Sequence, residues 1–254
     1  MVVSEHQELM WRLISANARA RGGPMSVADV CAVCVRVLAV DGVGLSLLDG
    51  ERLEPVHAEG ELGRELLEAE LTSGDGPCVE AALRGRPVSA PDLADPASGR
   101  RWPLFTATAQ ADGVAAAFAF PLMTAGARLG VLVACRSRPG PLEGRRYQDA
   151  LILAEFAVTL LLNTQLDVRT GAYGGTDDDR ETAEGDAAPA DWLVLGAEVH
   201  QAAGMVSVQL GCTVEQALAR LRAYAFSHDL PVTQVARQVV ACTLRFTPDT
   251  TPWQ

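Results

Sequence analysis

From Thr170 to Ala190 the chain is Gly, Asp, Thr, Ala and Glu with almost no apolar bulk, and this stretch constrains the fold more than any other. A segment of that composition cannot bury enough area to offset the entropy of ordering it. It reads as a flexible linker between two folded units. Eight acids and two arginines fall between Asp167 and Asp191, a net charge of −6, which is over half of the chain's −11. The region from Trp192 to Phe246 carries four arginines and three acids and is close to neutral. A globally acidic protein repels a polyanion. Any nucleic-acid contact must therefore rest on a few placed cations in the C-terminal unit.

Ahead of the linker, the hydrophobic pattern alternates helices and strands. Residues 5–20 read as an amphipathic helix with Leu9, Leu13 and Ile14 on one side. A second helix follows Ser26, with Asp29 in a capping-box position. Strands near Gly44–Leu48 and Leu53–Ala58 flank Asp49-Gly50, a hairpin turn. Residues 61–71 are helical, with Leu62, Leu66, Leu67 and Leu71 on one face. Pro77 opens a short helix to Arg84 from the favoured first position. A strand at Pro87–Ala90, a loop over 91–101 and a helix at Pro103–Ala111 come next. Two apolar runs, Val114–Leu122 and Leu129–Ala134, are joined by a hairpin-length loop, and a helix from Glu143 to Leu166 closes the unit. The fold class is α+β: an antiparallel sheet with packed helices, followed by a small all-α three-helix domain. The domain reading is an N-terminal helix over 1–25, an α+β unit over 26–166, an acidic linker over 167–191, a three-helix domain over 192–246 and a tail over 247–254.

The first C-terminal helix carries Trp192, Leu195, Val199, Ala202, Val206 and Leu210 at steps of three and four, and Gly211 stops it. Thr213 and Gln216 form a capping box for the second. Pro231 starts the third, with Val232, Val235, Ala236, Val239 and Val240 inward.

Several function classes are excluded or weakened. All 21 basic residues are arginine, so chemistry that needs a lysine, such as P-loop or Schiff-base sites, is absent. No stretch of 18 uninterrupted apolar residues occurs, so no membrane span is expected. The N-terminus lacks a secretory pattern, and a cytoplasmic location with reduced cysteines is expected. The six cysteines make no zinc spacing, and neither a metal nor a cofactor is expected. Cys31 and Cys34, at i and i+3 on an apolar helix face, read as core packing. Cys78 follows Pro77 at a helix start, where the dipole lowers a thiol's pKa, and is a candidate redox-sensing residue. The four histidines are scattered and form no triad.

Two segments carry a family resemblance. Gly74-Asp75-Gly76-Pro77-Cys78-Val79-Glu80-Ala81, Arg101-Trp102-Pro103-Leu104-Phe105, Ala119-Phe120-Pro121-Leu122 and Leu129-Gly130-Val131-Leu132 make residues 26–166 resemble GAF domains, which are sensors of varied ligands. Val199–Val206, Ala217–Arg222 and Pro231–Val240 make the C-terminal unit resemble an ANTAR domain. Ala203 and Ala223 depart from it, standing where many members carry basic residues. The resemblance implies binding of tandem RNA stem-loops, transcription antitermination, and a small-molecule or redox signal at the sensor. It points to His200, Gln201, Gly204, Arg220, Arg222 and Arg237 as RNA-binding residues. Arg220 and Arg222 flank the inward Leu221 and lean toward solvent. Gly204, costly in mid-helix, implies close approach by RNA or by another backbone.

Excess apolar surface on the Glu143–Leu166 helix, with residues 5–20, points to a homodimer. Two other readings stand beside the antiterminator. A DNA-binding regulator would present Thr233, Gln234, Arg237 and Gln238 from the third helix. A GAF-type thiol reductase would use cysteines on free oxidised methionine.

Overall fold

The computed structural model describes residues 5–50, 52–170 and 189–247. The linker reading falls mainly on residues outside this set, although its two ends belong to helices. The N-terminal domain runs α1 (Glu5–Arg21), α2 (Val27–Leu38), β1 (Gly42–Asp49), β2 (Arg52–Glu59), α3 (Glu61–Ser73), α4 (Pro77–Arg84), β3 (Val88–Ala90), α5 (Pro96–Arg101), α6 (Pro103–Ala111), β4 (Ala116–Thr124), β5 (Ala127–Arg136) and α7 (Gly144–Thr170). The C-terminal domain is α8 (Pro189–Leu210), α9 (Val214–Ser227) and α10 (Val232–Val240).

The five strands form one sheet in the order β2-β1-β5-β4-β3, every pair antiparallel. Helices cover both faces, which explains why β4 and β5 read as unbroken apolar runs instead of alternating ones. On one face Val43, Leu45, Phe118, Phe120, Leu132 and Ala134 join Met10 and Ile14 of α1, Val30, Cys31 and Cys34 of α2, and Leu153 and Ala157 of α7. The alternate residues Ala117, Ala119, Val131, Val133 and Cys135 face Leu66 and Leu67 of α3, Cys78 and Ala81 of α4, and Phe105 of α6. This period-two division is what strand geometry imposes.

The first face also buries a charge. Asp29 is inaccessible and accepts from Arg21 Nη2 (2.9 Å), Asn17 Nδ2 (3.0 Å) and the Ser26 backbone N–H (2.8 Å). Burial alone would raise its carboxyl, but these bonds outweigh it and hold Asp29 below the usual range. On the other face α3 lies close to β1: a Cβ on Gly42 would stand 2.2 Å from the Gly63 nitrogen. Only glycine permits that approach.

Three expectations are corrected. Leu9 is 45% exposed and does not join the core. Residues 96–101 are not loop but α5, because Asp95 caps the helix by accepting from the Ala97 N–H at 2.8 Å. Finally, α7 runs on to Thr170 and α8 begins at Pro189, so both helices extend into the segment read as linker.

A domain-junction site built on the end of α3

The C-terminal domain is docked on the N-terminal one. Its core is made of Val199, Ala202, Val206, Leu218, Leu221, Val235 and Val239, and it includes the side chain of Leu71 from α3. Around Leu71, polar groups of α3 serve the incoming helices. The residue that caps α10 is Pro231, which has no side-chain acceptor. Its first N–H groups would be orphans, and α3 satisfies them. Val232 N–H donates to Thr72 Oγ1 at 3.1 Å, and Thr233 donates to Glu68 Oε1 through its N–H (3.3 Å) and hydroxyl (2.9 Å). A carboxylate at a helix N-terminus also suits the helix dipole. Burial raises the Glu68 carboxyl, and the Thr233 bonds oppose the rise.

Two of the residues assigned to RNA are engaged here. Arg222 is half-buried, and its Nε donates to the Leu71 carbonyl at 3.0 Å. That carbonyl lies near the end of α3, where helix carbonyls lose their partners. Gly74, at φ +72°, closes α3 beneath the guanidinium, and a Cβ there would stand 2.7 Å from Arg222 Nη1. Burial first, and then the positive charge of Arg52, lower the Arg222 pKa. The expectation that Arg222 leans into solvent is therefore corrected: the end of α3 covers it. His200 of α8 donates through Nε2 to Glu54 Oε1 of β2 at 2.6 Å.

His200 and Arg222 both line a cavity of about 130 Å³ at this junction, together with Ser46, Arg52, Glu54 and Glu70. The strand ladder shifts between Leu45 and Ser46, opposite Pro55 on edge strand β2, where a proline is tolerated. Glu70 is buried, its Oε1 accepts the Cys78 N–H at 2.7 Å, and burial pushes its carboxyl up to about 7. The direction expected for Cys78 is also corrected. Its thiol is fully buried, and burial followed by neighbouring Glu70 pushes it well up. Desolvation acts against the lowering expected at a helix start.

The remaining assigned residues lie elsewhere. Gln201 and Arg220 are exposed. Arg220 stands with Leu210, Cys212 and Gln216 along a surface groove away from the junction. Arg237 is exposed and bonds Glu198 at 3.1 Å. A Cβ on Gly204 would meet nothing within 4 Å, so no neighbouring backbone of this chain requires that glycine. Of the outward residues on α10, Thr233 is buried against α3. Among the described residues no cluster of histidine, cysteine or acidic side chains could hold a metal, and no helix is long and apolar enough to cross a membrane.

The GAF domain model matches residues 26–160 and the ANTAR domain model matches residues 196–240. The chain belongs to the GAF family and carries a C-terminal ANTAR domain. No curated protein matches it. Among solved structures, the GAF domain from the Acinetobacter phosphoenolpyruvate-protein phosphotransferase is 16% identical, with 65% of this chain and 99% of that chain covered and a TM-score of 0.47. A domain of a two-component sensor histidine kinase protein from Sinorhizobium meliloti 1021 is 18% identical, covering 57% and 94%, TM-score 0.46. Free methionine-R-sulfoxide reductase from Neisseria meningitidis is 20% identical, covering 67% and 96%, TM-score 0.44. The two family models together give one chain with a GAF sensory domain and a domain of a regulatory family.

Glu54, Glu68, Glu70 and Thr72 of the GAF domain escaped sequence reasoning. Glu70 left one signal, since it falls three and four residues after Leu67 and Leu66, on the apolar stripe of α3. The others mark no pattern, because their partners lie more than 140 positions away.

Proposed function

We propose that this protein is a signal-responsive, cytoplasmic RNA-binding regulator that promotes transcription antitermination by holding tandem RNA stem-loops, and that it does no catalysis. One observation carries the reading furthest: the GAF domain occupies His200 and Arg222, two side chains assigned to RNA. In the docked arrangement Arg222 is half-buried at the domain junction, so the backbone of a stem-loop cannot reach its guanidinium until the ANTAR domain leaves α3. A signal at the GAF domain then acts by shifting the balance between docked and released ANTAR domains. A second copy, joined through the exposed Leu9 of α1 and Leu151 of α7, supplies a second ANTAR domain for the second stem-loop.

Burial of Thr233 leaves Gln234, Arg237 and Gln238 for a DNA groove, which weakens the DNA-binding alternative. The four cysteines of the GAF domain are buried with their thiols pushed up, which weighs against a thiol reductase. The test is titration of the full chain with paired stem-loops and with duplex DNA of equal length across a salt series. Preference for the stem-loops, weakened by Arg220→Ala, supports the reading. Equal or stronger binding to the duplex overturns it.

A further inference from the structure

The junction cavity has a volume of about 130 Å³. Engineered cavities only slightly larger accept a benzene ring, so this one has room for about six heavy atoms. Its wall is charged, with Arg52 from β2, Arg222 from α9, His200 from α8, and Glu54 and Glu70 between them. One oxygen of each carboxylate is in use. Glu54 Oε1 accepts from His200, and Glu70 Oε1 accepts the Cys78 N–H. The donors are in excess. A guanidinium carries five N–H groups. Among the described residues, the Leu71 carbonyl is the single hydrogen-bond acceptor that Arg222 finds. Arg52 and Arg222 are also close enough to oppose one another's charge. Glu54 and Asp75 offset part of the Arg222 charge, but neither accepts a hydrogen bond from it, so two half-buried cations keep donors that an anion can take up. A carboxylate matches the fork of a guanidinium, accepting two N–H bonds in one plane. Glu70 does not forbid an anion, since with a carboxyl pushed up to about 7 it is partly neutral near neutral pH.

We infer that this cavity is a binding site for a small carboxylate anion held jointly by Arg52 of the GAF domain and Arg222 of the ANTAR domain. The ANTAR domain is then both the effector and one wall of the sensor's ligand site. A ligand that touches both domains binds the docked form better than the released one, so it holds the protein docked. Linkage makes the effect mutual: RNA and the carboxylate weaken each other's binding. This regulatory half rests on the RNA-binding reading above, and the site itself does not.

The experiment uses the full chain, with acetate and pyruvate as probes that fit the cavity and citrate as one that does not. Calorimetry reads binding, and a parallel stem-loop titration reads the coupling. Saturable binding of pyruvate is expected, weakened about tenfold or more by Arg52→Gln and by Arg222→Gln, with no binding of citrate. Unfolding midpoints of both variants show that each is folded. The inference is overturned if neither acetate nor pyruvate binds, if citrate binds equally well, or if Arg52→Gln leaves pyruvate affinity unchanged. Pyruvate binding with no stem-loop binding under any condition would leave the carboxylate site standing and remove the RNA reading. Stem-loop binding that pyruvate strengthens would overturn the proposed coupling.

Discussion

The Leu71 carbonyl accepts a hydrogen bond from Arg222 Nε at 3.0 Å, while the Leu71 side chain is buried in the core of the ANTAR domain. One residue of the GAF domain thus fills the interior of its neighbour and holds that neighbour's most covered arginine. Three more bonds, from Val232 and Thr233 to Thr72 and Glu68, fix the start of α10 beside it.

Glu68→Ala removes the carboxylate that serves the first turn of α10. Loss of a helix cap costs about 0.5–2 kcal/mol, and here the cap comes from the other domain. The cost falls on docking, so the ANTAR domain is released more often while each domain stays folded. Small-angle scattering of the variant should show a more extended chain than the wild type. An unchanged profile would show that docking does not depend on this bond.

Glu54→Gln removes the carboxylate that accepts the His200 hydrogen bond without changing the size of the side chain. The pair is part-exposed, with side chains 38% and 23% accessible, and pairs of this kind contribute about 0–1 kcal/mol. A small rise in stem-loop affinity, within about fivefold, is expected in a binding titration.

Glu70 sets a pH dependence. Its carboxyl is raised in the folded state from the ordinary 4.5 to about 7, so its contribution is fully present below the unfolded value. It is lost as pH rises from there through about 7, where the buried carboxylate must ionise. The loss is roughly 3 kcal/mol. Denaturant midpoints for the wild type and Glu70→Gln between pH 4.5 and 8 should converge at the acid end and separate toward pH 8, the variant losing less. Parallel curves would contradict this role. Asp29 acts in the opposite sense: held below 3.8, it stabilises at neutral pH and loses its contribution as the medium acidifies through that lowered value.

The thiols should label in order of exposure. Cys242 is exposed and Cys212 half-buried, whereas Cys31, Cys34, Cys78 and Cys135 are buried. Alkylation of the native protein at pH 8 should modify Cys242 first and leave Cys78 unmodified until unfolding. Early modification of Cys78 would support it as a redox-sensing residue.

Much of this fold is legible in the sequence because its signals are local. The Asp49-Gly50 turn, the Thr213–Gln216 capping box and the three-and-four spacing of α8 each lie within a few residues. The helix α5 was missed because its cap, Asp95, precedes Pro96-Ala-Ser-Gly, a run that also reads as loop. The site was less legible. His200 and Arg222 could be named from the family resemblance of the helices that carry them, but their partners Glu54 and Leu71 lie on distant elements. Burial decided both corrections: Arg222 is covered by a neighbouring domain, and Cys78 by its own core, neither of which a linear pattern records.

The most direct test of the docked arrangement as an RNA-excluding state is the stem-loop affinity of the full chain with and without Glu68→Ala. A site freed from docking by 1.4 kcal/mol gains about tenfold in affinity while docking dominates. That gain is expected in Glu68→Ala, and its loss again when Arg222→Gln is added. Equal affinities for the wild type and Glu68→Ala, with scattering showing the variant released, would contradict it.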